Sequence, residues 1–279
     1  MSVEISPVVV ASVRSHGSSF SARSIDIEPL GTRGSPLVVV DDFRLRGAPF
    51  GPHPHAGFST ISYVFEDSEG ALRSRDSLGN DIFMGPGGIV WTEAGSGMMH
   101  HELAEAEREL HGVQIFVNVS AIHKGVAPRV LSLATSNVPD WRNEAGDRVR
   151  VVVGAYAGVS SPLLPTEPFD LLDVQLRREI ALDLSAGRNA LVYVRDGEAL
   201  VRADGTDRSV AAGRAVALFG TGGRVTLEAV QAAAVLVLSG AEIREPVVAE
   251  GPFIMNDRAQ IAAAYARYRA GEMGRLAPL

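Results

Sequence analysis

Short apolar runs separated by turn residues recur along most of this chain, a pattern typical of β-strands in a turn-rich fold. Residues 58–65 show it clearly, because Ile61, Tyr63 and Phe65 alternate with other residues and so share one face of a strand. The pattern predicts a mainly β protein. Strands are expected at residues 35–43, 58–65, 89–91, 112–119, 149–153, 171–176, 190–194, 199–203, 215–219, 225–230 and 233–238.

One helix is predicted, near the C-terminal end of the chain. Ile261, Ala264 and Tyr268 recur there at helical spacing. Asn256 is the expected N-cap and Gly271 the expected stop, because these residue types favour the two ends of a helix. The sequence therefore predicts an all-β fold closed by a short C-terminal α-helix.

The two halves of the chain resemble each other. Residues 53–64 align with residues 183–194 without a gap, and the later turns and strands follow in the same order. Chance is the alternative, since the matched pairs Ala-Gly and Tyr-Val are common. We interpret the likeness as duplication of one β-barrel. Because residues 120–147 contain little periodic pattern, we expect domains at 1–130 and 131–279.

Composition and charge narrow the range of functions. Hydrophobic residues make up 46% of the 279 residues and charged residues 21%, as in a folded globular protein. The net charge of −7 disfavours direct binding to nucleic acid. The absence of cysteine excludes disulfides, thiolate metal sites and cysteine nucleophiles. The start lacks a secretory pattern, and the longest apolar run, residues 232–238, is too short to span a bilayer, so the cytoplasm is expected and a membrane is not.

Four of the seven histidines occur in two tight clusters, His53-Pro-His55 and His100-His101-Glu102. On a strand, residues i and i+2 point to the same face. His53 and His55 can therefore converge on one point, and so can His100 and Glu102. Together they offer three imidazole nitrogens and one carboxylate oxygen, which suits a divalent ion of iron, nickel, manganese, copper or zinc. The alternative is a pair of histidines at a surface turn beside an unrelated polar strand.

The remaining candidate residues are assigned structural roles. His101 faces away from His100 and is expected to be solvent-facing or structural, with a place on the pocket rim as the alternative. His111 opens an apolar strand and is expected to be structural, with support of a metal ligand as the alternative. Glu93 is expected to be a structural or rim carboxylate. In the second half, the positions that match the four ligands contain no histidine, so one metal per chain is expected. Those positions are Asp183, Ser185, Thr226 and Glu228.

Several motifs resemble, in order and spacing, those of the pirin family of the cupin superfamily, from about residue 36 to residue 274. They are His53-Pro-His-Ala-Gly-Phe, Asp76-Ser-Leu-Gly-Asn, Gly85-Pro-Gly-Gly, Ala94-Gly-Ser-Gly with His100-x-Glu102, His111-Gly-Val-Gln-Ile and Gly251-Pro-Phe-Ile-Met-Asn256. The resemblance implies two tandem cupin barrels, also described as double-stranded β-helices or jelly rolls. It also implies one metal, iron(II) by expectation with nickel, manganese, copper, zinc or cobalt as alternatives, bound by residues matching His53, His55, His100 and Glu102.

The resemblance implies two kinds of function. One is a quercetin 2,3-dioxygenase activity, in which a flavonol is cleaved with dioxygen and Glu102 takes the proton of the 3-hydroxyl group. The other is a non-catalytic, redox-sensing protein whose metal regulates a protein partner, such as a transcription factor or a metabolic enzyme. An oxygenase acting on another small enol or phenol would share the first mechanism.

Overall fold

The computed structural model describes residues 2–278 of the chain. Strands make up 55% of the residues and helices 9%, so the all-β prediction is confirmed. The chain divides into two compact units, and both are cupin barrels. The first barrel, which carries the two histidine clusters, comprises residues 13–22, residues 39–135 and the chain from Ile243 onward. The second barrel comprises the chain up to Ser12, residues 23–38 and residues 136–242.

The strands up to Thr135 are short, and most end at a glycine, proline or polar turn. They are β1 (Val3–Ile5), β2 (Val9–Val10), β3 (Ser12–His16), β4 (Phe20–Ile25), β5 (Leu37–Leu45), β6 (His53–His55), β7 (Phe58–Val64), β8 (Leu72–Asp76), β9 (Asp81–Met84), β10 (Ile89–Glu93), β11 (Met98–Ala104), β12 (Leu110–Asn118) and β13 (Arg129–Leu133). Short 3-10 turns occupy Glu28–Gly34 and Ala121–His123.

Beyond this point the strands include two much longer ones. They are β14 (Asp140–Arg142), β15 (Arg148–Val153), β16 (Ala155–Tyr156), β17 (Val159–Ser160), β18 (Phe169–Leu176), β19 (Glu179–Leu184), β20 (Arg188–Ala203), β21 (Thr206–Ala211), β22 (Arg214–Gly220), β23 (Gly223–Ala241), β24 (Val248–Glu250) and β25 (Phe253–Met255). A 3-10 turn at Thr135–Asn137 precedes them, and the helix α1 (Arg258–Arg269) follows.

Two sheets enclose the interior of the first barrel. One has the strand order β13-β10-β7-β12-β5-β4-β3, and the other has the order β6-β11-β8-β9. Strand β7 is buried along its whole length, because Ile61 and Tyr63 lie in the core while Thr60 and Ser62 are covered on the opposite face. The predicted alternation of the two faces is confirmed, but both faces are shielded from solvent.

The second barrel is built around one large sheet with the order β1-β22-β20-β23-β18-β15-β14. Strands β20 and β23 each cover two runs that were predicted as separate strands, and their pairing shifts register between Val194 and Ala199. A bulge of this kind bends a strand without ending it, so the two predicted strands become one continuous strand. Asp183 and Ser185, which match His53 and His55, line a cavity of about 260 Å³ in this barrel.

Asp147 illustrates how the second barrel satisfies a buried charge. Its carboxylate is 1% exposed and accepts hydrogen bonds from the backbone N–H groups of Arg177, Arg178 and Glu179 and from the Asn143 side-chain amide. Burial by itself raises the pKa of a carboxyl group. Here the hydrogen bonds outweigh it and hold the pKa of Asp147 below its usual range.

The termini do not follow the expected division into residues 1–130 and 131–279. The crossover after Thr135 is close to the predicted boundary, but each end of the chain joins the opposite unit. Strand β1 pairs with β22 of the second barrel, with Val3 opposite Gly220, and forms the edge of that sheet. Helix α1 buries Ile261 and Ala264 against Phe253 and other core residues of the first barrel.

Helix α1 begins one residue later than predicted. Its N-cap is Asp257, whose carboxylate accepts a hydrogen bond of 2.8 Å from the Gln260 backbone N–H. Asn256 was predicted for this role, but asparagine and aspartate cap helices almost equally well, so residue type does not choose between neighbours. The predicted stop at Gly271 is confirmed by its φ of +77°. Within residues 2–278, no helix is long and apolar enough to cross a membrane.

Candidate metal centre

Two neighbouring strands bring the predicted histidines together. Strand β6 pairs antiparallel with β11 and places His53 directly opposite His100. His55 lies two residues along β6 and therefore points to the same side as His53. The ring centroids of the three imidazoles are 4.5 to 4.8 Å apart. One ligand nitrogen from each lies within 4.8 Å of the others, which is close enough for one metal ion to be shared.

The hydrogen bonds of the histidines define their tautomers. A carbonyl oxygen can only accept, so the contact of 2.9 Å between His53 Nδ1 and the Gly51 oxygen means that Nδ1–H donates. His55 Nδ1 likewise donates to the Pro252 oxygen at 3.4 Å. Both residues therefore present Nε2 lone pairs when neutral. The Nε2 atom of His100 lies 3.0 Å from that of His53.

Burial keeps two of these imidazoles neutral. Desolvation, together with the nearby His53, lowers the pKa of His55 to about 3. Burial also lowers the pKa of His100 well below its usual value. The His100 Nδ1 atom is buried without a hydrogen bond, and the Nε2 atom of the same ring faces the cluster. Neutral, convergent imidazoles are the form in which histidine binds a transition metal, so the donor set fits such an ion.

Glu102 is held close by but is not part of the histidine cluster. Its carboxyl group lines the same cavity and accepts a hydrogen bond of 2.6 Å from the Ser62 hydroxyl. Burial raises the pKa of Glu102 to about 7, although the Ser62 hydrogen bond acts in the opposite direction. The Ser62 hydroxyl also lies 3.0 Å from the Gln114 side-chain oxygen, and Gln114 donates to Thr60. A chain of polar side chains from Thr60 through Gln114 and Ser62 thus contacts this carboxyl group.

The four side chains open into a cavity of about 590 Å³, within the usual range for small-molecule sites. Its wall is mostly apolar and includes four phenylalanines. The Phe50 ring is 44% exposed and makes an edge contact with Phe20 at 5.0 Å between centroids. The lining residues are Phe20, Asp41, Phe43, Leu45, Pro49, Phe50, Gly51, Pro52, His53, His55, Leu72, His100, Glu102, Gln114 and Phe116.

The structure separates the other candidates from this cavity. His101 is 5% exposed, so the solvent-facing alternative is wrong and a structural role remains. Glu93 is buried and forms an ion pair with Arg129 at 2.5 Å. His111 lies between two carboxylates, with Nε2 2.9 Å from Asp42 and Nδ1 3.3 Å from Asp67.

His111 is expected to make the first barrel less stable as the pH rises. Burial favours the neutral ring, but the hydrogen bonds to Asp42 and Asp67 outweigh it and raise the pKa of His111 above its usual value. A group whose pKa is higher in the folded than in the unfolded state contributes its full stabilisation at pH values below the unfolded-state pKa. That contribution is lost as the pH rises through the folded-state pKa. His111→Gln should therefore destabilise most near pH 6, by roughly 1–3 kcal/mol.

Thermal unfolding of both proteins in chelator-treated buffer from pH 5.5 to 8.5 checks this expectation. The gap between wild type and His111→Gln should narrow towards the alkaline end. Glu109 is also affected by the charge of His111, so a Glu109→Gln background shows whether it contributes to the slope. A gap that stays constant over the whole range would contradict the assignment.

No role in the site was predicted for three residues that shape it. Ser62 holds Glu102, Gln114 continues the polar chain, and Pro252 accepts from His55. The polar positions on the inward face of β7 were a signal for Ser62. Gln114 and Pro252 were noted only as members of family motifs, and no pattern linked Pro252 to His55, which is distant along the chain.

Comparison with known proteins agrees with this geometry. The family model described as "Pirin" matches residues 19–117, and the one described as "Pirin C-terminal cupin domain" matches residues 171–274. A Pseudomonas aeruginosa protein named "Putative quercetin 2,3-dioxygenase" is 33% identical over 259 residues, covering 87% of this chain and 88% of that protein.

Solved structures share the fold. A quercetin 2,3-dioxygenase from Acinetobacter baumannii superposes with a TM-score of 0.87 at 25% identity, covering 98% of this chain and 99% of that one. A bacterial pirin from Escherichia coli in complex with nickel(II) superposes with a TM-score of 0.65 at 20% identity, covering 86% of this chain and all of that one. With family matches over both barrels and the histidine cluster in the first, this chain belongs to the pirin family.

Proposed function

We propose that this protein is a metal-dependent dioxygenase that cleaves a flavonol such as quercetin. The observation that carries the proposal is that Glu102 lines the same cavity as His53, His55 and His100, together with four phenylalanines. The cavity combines a general base, a metal-binding donor set and an apolar space for a flat aromatic molecule. The names of the Pseudomonas and Acinetobacter relatives support the same reaction class.

In this proposal the three histidines hold the metal and Glu102 is either a fourth ligand or a free base. A bound divalent transition metal would supply electrophilic stabilisation of an oxygen anion and the redox chemistry that dioxygen requires. Iron(II) is the proposed metal. Nickel, manganese, copper, zinc and cobalt are the alternatives, because nitrogen and oxygen ligands alone discriminate weakly among them.

Glu102 is proposed to take the proton of the flavonol 3-hydroxyl group. The carboxyl group is enclosed by the barrel and is oriented by the Ser62 hydroxyl, so it meets the substrate in one defined direction. Proton removal makes the flavonol electron-rich enough to react with dioxygen. Both atoms of dioxygen enter the product, the central ring opens, and carbon monoxide leaves.

The walls of the cavity are proposed to position the substrate. Phe116 packs against His55 at 5.5 Å between centroids, and Phe43 and Leu72 also line the cavity. Aromatic and aliphatic walls bind a flat ring system and exclude water from the anionic reaction centre. Gln114 also lines this space and can bond to a polar substituent.

The test is anaerobic reconstitution with Fe(II), followed by oxygen uptake and loss of the flavonol absorbance band with quercetin. The proposal expects both signals from wild type, with stoichiometric oxygen consumption and carbon monoxide release. His55→Ala is the control, since it removes one nitrogen ligand while leaving Glu102 and the cavity walls in place.

The outcomes separate the two family functions. Metal-dependent consumption of quercetin and oxygen would support the dioxygenase. Stoichiometric metal binding without turnover of any flavonol would contradict it. That result would favour a redox-sensing protein, for which the next measurement is the affinity for a protein partner in the ferrous and ferric states.

A further inference from the structure

The motif Gly251-Pro-Phe-Ile-Met-Asn256 lies against the backbone that carries His55. The Pro252 carbonyl oxygen accepts from His55 Nδ1, and the Ile254 backbone N–H donates to the Ala56 oxygen at 3.1 Å. Ala56 also forms a parallel bridge with Phe253. The motif therefore contacts the imidazole itself and the residue that follows it.

A buried lysine joins the motif at residues 251–256 to the segment that follows His55. Lys124 is 5% exposed, and its ammonium group donates to the Gly57 oxygen at 2.8 Å and to the Ile254 oxygen at 3.2 Å. The Asn118 side-chain oxygen is a third acceptor at 2.5 Å. An ammonium group has three donors, and here each has an acceptor on a different part of the barrel. Lys124 thus connects the backbone next to His55 with the C-terminal motif.

The two segments also approach too closely for most side chains. Gly57 has a φ of +84°, and a Cβ atom there would collide with the Ile254 carbonyl oxygen. Beside it, Ala56, Phe253 and Met255 belong to a buried apolar cluster that includes the inner face of helix α1. Packing, backbone hydrogen bonds and the lysine therefore all set the position of the Pro252 oxygen.

We propose that residues 251–256, held by Lys124, are the positioning element of His55. An oxygen that accepts from Nδ1 fixes the ring orientation and leaves Nε2 as the ligand atom. Mutation of such hydrogen-bond partners of a metal ligand typically weakens metal binding about 10- to 100-fold. The inference rests on the metal centre of the proposed function but not on dioxygenase chemistry.

The first test compares Gly57→Ala with Gly79→Ala in Ni(II) titrations against a competing chelator. Gly79 also has a positive φ, +94°, but nothing lies within 4 Å of a Cβ there. Both variants carry backbone strain in the same barrel, and only Gly57→Ala displaces the motif. We expect Ni(II) to bind Gly57→Ala about 10- to 100-fold more weakly, and Gly79→Ala with wild-type affinity. Equal affinities in the two variants would overturn the proposal.

The second test begins with the wild-type chain, so its first measurement needs no variant. In the metal-free wild-type chain, ¹H–¹⁵N correlation spectra of the imidazoles should show the Nδ1–H tautomer for His55, and the opposite tautomer would overturn the proposal. Lys124→Met should shift His55 towards a mixture of its two neutral tautomers and weaken Ni(II) binding. A Lys124→Met chain that lost only thermal stability, with tautomer and affinity unchanged, would show a merely structural lysine.

These outcomes are distinct from those of the dioxygenase assay. A wild-type chain that bound Ni(II) tightly and turned over no flavonol would contradict the dioxygenase and leave the positioning role intact. A wild-type chain that bound no Ni(II) would overturn the metal centre and this role with it.

Discussion

Replacing Glu102 by glutamine is expected to lower flavonol turnover by about 10²- to 10⁴-fold while much of the metal binding remains. Glutamine keeps the size of the side chain and can still contact the Ser62 hydroxyl, but it cannot accept the substrate proton. The three histidines, whose ligand atoms already converge without Glu102, are unchanged. The loss should therefore appear in kcat more than in metal content.

Metal analysis of the reconstituted variant and oxygen uptake with quercetin together check this expectation. Glu93→Gln is the matched control, because Glu93 is a buried carboxylate of the same barrel that pairs with Arg129 and does not line the cavity. It should retain turnover. If Glu102→Gln were as active as wild type at equal metal content, Glu102 would not be the base.

Replacing His100 by alanine is expected to abolish the stabilisation of the fold by metal. A ligand that binds only the folded state stabilises it by about 2.7 kcal/mol when the free ligand concentration is about 100 times the dissociation constant. This stabilisation corresponds to a Tm rise of roughly 5–10 °C. His100 lies opposite His53, and its ring centroid is 4.5 Å from the centroids of both other histidines. Without it, two nitrogens remain, and Ni(II) or Fe(II) should raise Tm little.

His101→Ala is the control for this experiment. The two histidines are neighbours on β11 and are both buried, but His101 lies on the opposite face and outside the ligand cluster. Its variant should lose stability with and without metal, and the rise in Tm on adding metal should persist. A His100→Ala protein with the wild-type metal response would remove His100 from the site.

Much of the site could be predicted because it depends on local periodicity. In a strand, alternate residues share a face, so His53 and His55 had to point together, and so did His100 and Glu102. The same rule separated His101 from His100. What it could not supply was the contact that holds Glu102. Its carboxyl group accepts a hydrogen bond from Ser62, on another strand, and lies outside the close histidine cluster.

The positions of the termini could not be predicted for a related reason. The repeat within the chain suggested two successive barrels, yet strand β1 completes the second sheet and helix α1 covers the first barrel. The sequence pattern of an edge strand does not depend on which sheet the strand joins. Likewise, the pattern of an amphipathic helix does not depend on which apolar surface the helix covers. The choice depends on which surface is left open once the rest of the chain has folded.

The sequence by itself determined the all-β character, the identity of the clustered histidines and the family. Strand alternation and motif spacing involve only neighbouring residues, so they can be read before any folding is considered. The tertiary structure alone decided that Glu102 accepts a hydrogen bond from Ser62, that Pro252 accepts one from His55, and that Lys124 donates to both Gly57 and Ile254. Those contacts join residues as far as 197 positions apart, where chain geometry sets no local constraint and packing chooses the partner.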